Sequence, residues 1–105
     1  MSIDNQIEPP QSFMAMYATP GSSRPNAPQE VVLARYELCE DMASLLTEQA
    51  GVIAFKEGLG EKDILLRCHR GLREDQQALS EREAAWVIQR VAELLDWPPL
   101  EFEAP

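Results

Sequence analysis

The sequence predicts an all-α fold: a small three-helix bundle preceded by an N-terminal arm that is either disordered or docked. Three observations carry this reading. Apolar or small residues recur at alternating spacings of four and three between Val32 and Ile53, which is the helical period. Ser80 and Glu83 stand three residues apart ahead of an apolar run, the signature of a helix N-terminus. No segment sustains the alternation of a strand, and no Asn-Gly pair marks a hairpin. With 105 residues the chain suffices for one domain. The expected organisation is a flexible Pro-rich arm over 1–28, a helical domain over 29–97 and a C-terminal tail over 98–105, of which the last stretch, LEFEAP, is expected to fray.

The arm owes its reading to Pro9, Pro10, Pro20, Pro25 and Pro28, which forbid a continuous helix, and to the flexible Gly21-Ser22-Ser23 turn. It holds one apolar patch, Phe13-Met14-Ala15-Met16-Tyr17, too short to fold alone. Two uses follow for Phe13 and Tyr17: docking on the chain's own domain or its dimer mate, or service as a short linear binding motif.

The first long helix is expected to begin at Pro28, a residue suited to the first helical position. Its core stripe is Val32, Tyr36, Cys39, Ala43, Leu46, Ala50 and Ile53; a second stripe, Val31, Leu38, Met42, Leu45 and Val52, runs beside it. Together they exceed the roughly 100° of an ordinary surface helix, so this helix asks for two neighbours. Gly51 costs about 1 kcal/mol against alanine inside a helix, and marks either a kink or a close approach by another backbone. The helix is expected to stop at Gly58-Leu59-Gly60, where glycine accepts the left-handed cap conformation.

A shorter helix follows over 61–73. Glu61 and Asp63 sit at its positive dipole end. Ile64, Leu65, Cys68 and Leu72 share one face, and Arg67, Arg70 and Arg73 line another with Lys62 beside them. The third helix starts at the Ser80 capping box, with Leu79 placed to staple onto Ala84. Its core stripe is Ala84, Val87, Ile88, Val91, Leu94 and Leu95, and Pro98 is expected to end it at Trp97.

Charge bounds the partners. The chain carries a net charge of −9, and its acidity lies mostly outside 61–79. Such a chain repels nucleic acid and anionic lipid at long range. No apolar run approaches the roughly 18–20 residues that span a bilayer, and the first residues lack the basic and apolar regions of a secretory signal. Two cysteines are too few for a disulfide scaffold. A cytoplasmic setting is the expectation, with neither nucleic acid nor membrane as partner.

Chemistry finds little support in the residues. Cys68 and His69 are neighbours on a helix and point about 100° apart, so they do not converge on one ion or one proton. Cys39 and Cys68 both fall on expected core stripes, where a thiol is a small apolar filler. Their alternative use is a redox- or metal-responsive sensor, which requires both thiols within disulfide reach. His69, the sole histidine, lies at the edge of the basic face. Glu37, Glu40, Asp41 and Glu48 occupy the polar arc of the first helix, where carboxylates belong, and no calcium-loop pattern accompanies them. No phosphate-binding or dinucleotide-binding glycine pattern occurs, and no nucleophile elbow. No cofactor is expected.

Two binding surfaces are expected instead. On an ideal helix Trp86 and Trp97 share an azimuth opposite the core stripe; with Arg90 and Glu93 they form a candidate partner-binding face of hot-spot residue types. Arg67, Arg70 and Arg73 form a ridge for a carboxylate- or phosphate-bearing partner, or for the chain's own acids. A domain this small is marginal alone; with the wide first helix, this favours a homodimer.

The segments PPQSFMAMYATPG, ARYELCEDMA, RCHRGL and EAAWVIQRVAELLDWP, spanning roughly residues 9–98, resemble a family of small proteobacterial helical proteins often labelled "ATPase with chaperone activity". The resemblance implies a bacterial cytosolic protein and brings no catalytic residues with it. The sequence therefore leads to a non-enzymatic, acidic, helical protein–protein interaction module: an adaptor, regulator or chaperone-like factor with an unidentified protein partner.

Overall fold

The computed structural model describes residues 8–18, 26–74 and 78–101. The expectations for Pro20, for the Gly21–Ser23 turn, for Pro25 and for the end of the tail lie outside them. The described residues are helical with no strand, as the periodicity predicts. The chain divides into two compact units, 1–38 and 39–105.

The first unit shows what the arm does. Pro10 is the N-cap of α1 (Gln11–Met14), its carbonyl accepting from Phe13 N at 2.9 Å and Met14 N at 3.0 Å. A 3-10 turn follows over Ala15–Tyr17. Asn26 N then donates to the Tyr17 carbonyl at 2.7 Å, tying the chain that returns to the long helix. Phe13 is fully buried. Its ring lies 5.6 Å from that of Tyr17 and 5.3 Å edge-on to that of Tyr36. The patch thus docks on its own chain, and over residues 8–18 the arm is structured. Pro10 suits the start of the helix: its φ is fixed near −66°, and it has no N–H to leave unsatisfied.

The long helix α2 spans Gln29–Glu57. Pro28 stands one position before the expected place: its carbonyl accepts from Val31 N and Val32 N, so it caps the helix from outside. The core stripe holds, with Val32, Cys39, Ala43 and Ala50 buried. The helix passes unbroken through Gly51. Gly58 ends it at φ 64°, the left-handed conformation that glycine adopts without a Cβ clash.

In the second unit, α3 (Glu61–Glu74) and α4 (Glu81–Leu95) pack on each other. Ile64, Leu65 and Leu72 are buried on α3; Ala84, Val87, Ile88, Val91 and Ala92 are buried on α4. The capping box is complete: Ser80 Oγ accepts from Glu83 N at 3.1 Å, and Glu83 Oε1 accepts from Ser80 N at 2.9 Å. Leu79 is buried beside it. The buried face of α4 follows the row Ala84, Ile88, Ala92, which inclines to the helix axis. Leu94, expected in the core, is consequently left 44% exposed.

The end of α4 also departs from expectation. The helix stops at Leu95 rather than Trp97. Asp96 takes the left-handed conformation at φ 58°, Trp97 N donates to the Ala92 carbonyl at 2.8 Å, and Asp96 N donates to the Glu93 carbonyl at 3.2 Å. That pair of bonds is a Schellman motif, which satisfies the last carbonyls before Pro98 is reached. The tail does not fray at its start: Leu100 is buried, and its carbonyl accepts from Gln89 Nε2 at 2.5 Å.

Candidate functional site

The tryptophan face does not assemble as an ideal helix predicts. Trp97 lies beyond the left-handed turn at Asp96, so it does not share the azimuth of Trp86. Both rings are half-buried. Arg90 is committed within the unit: its Nε donates to Glu40 Oε1 of α2 at 2.8 Å, and its second guanidinium nitrogen donates to Glu40 Oε2 at 3.4 Å. A further contact of 3.6 Å reaches Glu93, one turn on, which remains exposed. The forked geometry is the strong form of an arginine–carboxylate pair, and it ties α4 to α2.

The arginine ridge is on the surface of α3. Arg67 pairs with Glu57 at 3.5 Å and Arg73 with Glu81 at 3.3 Å, both exposed pairs worth little individually. Arg70 is exposed and has no ion pair among the described residues. Leu66, His69, Arg70, Arg73 and Glu74 surround a shallow depression of about 480 Å³ open to solvent. Burial, and then the charge of Arg73, push the His69 imidazole below its usual 6.5, while Glu81 pulls the other way. The ridge therefore spends two of its three arginines on the chain's own acids.

Phe13, offered by the sequence as a binding residue, is inside the first unit, and Tyr17 is half-buried against it. Neither Cys39 nor Cys68 forms a disulfide; Cys39 is buried and Cys68 half-buried. Burial pushes the Cys68 thiol above its usual 9.0, opposed by the charge of Arg67. Among the described residues no group of three or more His, Cys, Asp and Glu side chains is placed to hold a metal ion. No helix among them is long and apolar enough to cross a membrane.

The surface that stands out is the outer face of α2. In the second unit Leu45, Val52 and Phe55 are 50%, 51% and 81% exposed. Val31 and Leu38, in the first unit, are exposed as well. Val31, Leu38, Leu45 and Val52 belong to the second stripe, which the sequence expected a second neighbour to cover; among the described residues that cover does not form, and only Met42 of the stripe is half-buried. Around Val52 the surface dips into an open groove lined by Thr47, Glu48, Gly51, Val52, Phe55 and Lys56. Gly51 is part of this lining, and the space beside it is open: a Cβ there would meet nothing within 4 Å. Phe55, three residues past Val52, lies on neither stripe read from the sequence; its spacing from Val52 is the signal that could have found it.

No protein-family model, no curated protein and no solved structure matches this chain.

Proposed function

We propose that this chain is a helical protein–protein interaction module, an adaptor, regulator or chaperone-like factor of the bacterial cytosol, that acts by docking a protein partner on α2. The observation that carries this reading is the exposure of Leu45, Val52 and Phe55 on the face of α2 turned away from its buried stripe. Fully burying one such side chain contributes roughly 1.5–3 kcal/mol. Three half- to mostly exposed ones therefore supply a few kcal/mol to a partner, enough to decide whether a complex forms. Aromatic residues are enriched at interfaces, and Phe55 is the natural anchor. The family resemblance supports the bacterial setting. The arginine ridge of α3, with Arg70 unpaired among the described residues, supplies a second, polar contact to an acidic partner.

The test is parallel affinity capture from a bacterial extract on the wild-type chain and on a Val52→Ser/Phe55→Ser variant whose helicity is verified by circular dichroism. A protein retained by the wild type and lost from the variant is the expected result. Identical retention on both columns would overturn the reading.

A further inference from the structure

We infer that the occupant of the α2 groove is a second copy of this chain, lying antiparallel about a twofold axis at Val52. The proposal rests on the reading of α2 as the docking element and adds the partner, the orientation and the register.

Gly51 supplies the first argument. It sits inside an unbroken helix, where glycine is disfavoured relative to alanine. Among the described residues nothing compensates: its backbone is not left-handed, and no neighbour occupies the space of a Cβ, as is also true of Gly71 in α3. The open space over Gly51 leaves room for a close approach from outside. Phe55 stands one turn further on the same flank and is the most exposed large apolar residue described. An antiparallel copy with Val52 against Val52 brings its Phe55 over Thr47, Glu48 and Gly51, the lining of the groove. The symmetry fills both grooves at once, as an isologous interface requires.

Charge fixes the direction. Glu48 and Lys56 lie four residues to either side of Val52, both exposed and both without an ion pair among the described residues. They are too far apart along the helix to pair with each other, since helical partners are three or four apart. The twofold at Val52 sets Glu48 of each copy opposite Lys56 of the other. A parallel arrangement sets Glu48 against Glu48, Asp41 against Asp41 and Lys56 against Lys56, and like charges facing one another are repulsive. The antiparallel copy thus seats Phe55 in the groove and pairs both charges with residues already present.

The test is sedimentation velocity of the full chain over a concentration series for the wild type, Glu48→Lys, Lys56→Glu, the double swap, and Gly51→Leu. The wild type is expected to be dimeric. Each single swap is expected to weaken the dimer about tenfold or more, and the double swap to restore it. Gly51→Leu fills the groove and is expected to weaken the dimer while leaving the melting temperature of the monomer unchanged or higher. A wild-type monomer at every concentration overturns the second copy; α2-dependent capture of another protein would then leave the docking reading standing. A dimer indifferent to both swaps and to Gly51→Leu overturns the register and the groove, and self-association through another surface survives.

Discussion

Arg90 and Glu40 form a forked ion pair that joins α4 to α2, with nitrogen–oxygen distances of 2.8 Å and 3.4 Å. The two side chains are 33% and 28% exposed, so solvent screens the pair only in part. It therefore outranks the exposed Arg67–Glu57 and Arg73–Glu81 pairs, whose single contacts at the surface contribute little. Glu40→Gln is expected to destabilise the chain by about 1 kcal/mol. For a domain of this size that lowers the melting temperature by about 4–8 °C. A double-mutant cycle with Arg90→Gln should return most of this loss as coupling; additive losses would show that the two side chains act separately.

The long helices were legible because their ends are written locally. Ser80 and Glu83 specify the start of α4 through bonds to each other's backbone, and Gly58 specifies the end of α2 through its φ. The period of seven along α2 also named both of its stripes. Placement beyond a helix end was not legible. Extrapolating an ideal helix to Trp97 ignores the turn at Asp96, one of the few non-glycine residue types that enter the left-handed region, and a weaker signal there than glycine. The burial of Phe13 depends on Tyr36, a distant residue with which no local pattern links it. The groove on α2 was half legible: Val52 lies on the second stripe and Gly51 stood for either a kink or a close approach, but Phe55 lay past the last residue counted.

Cys68 is expected to be a sluggish nucleophile. The thiolate is the reactive form, and burial holds the thiol above its usual 9.0. At pH 7 a maleimide should therefore label Cys68 more slowly in the native chain than in urea, and Cys39, which is buried, more slowly still. The charge of Arg67 favours the thiolate, so Arg67→Gln should slow the reaction further. Because the folded thiol titrates above the unfolded one, its contribution to stability is lost as pH rises past 9.0. Rapid labelling of the native protein at pH 7 would contradict the burial and reopen a redox role.

His69 makes the opposite prediction in acid. Its folded imidazole takes a proton less readily than the usual value of 6.5, because of burial and of Arg73. On acidification the unfolded chain is protonated first, so stability is lost as pH falls below 6.5 towards the depressed folded value, and is retained above that window. His69→Gln should flatten this part of the stability profile. Nuclear magnetic resonance titration of the imidazole gives the causes one at a time: Arg73→Gln should move the midpoint up, and Glu81→Gln should move it further down. A midpoint above 6.5 in the wild type would contradict the assignment.

Phe13 tests whether the arm belongs to the fold. Its ring is fully buried, with Tyr17 and Tyr36 as aromatic neighbours at 5.6 Å and 5.3 Å. Truncating a buried phenylalanine costs about 3–5 kcal/mol, the lost transfer energy plus the cavity. Small domains have only about 5–15 kcal/mol in total. Phe13→Ala should therefore lower the melting temperature by roughly 10 °C or more, whereas Phe13→Leu, which retains most of the volume, should lose far less. The same comparison reads out docking directly. Chymotrypsin should leave Tyr17 intact in the wild type, where that residue is half-buried and its carbonyl holds Asn26 N, and should cut there in Phe13→Ala. A linear motif held for a partner predicts the reverse: ready cleavage at Tyr17 in the wild type and no change in melting when Phe13 is removed.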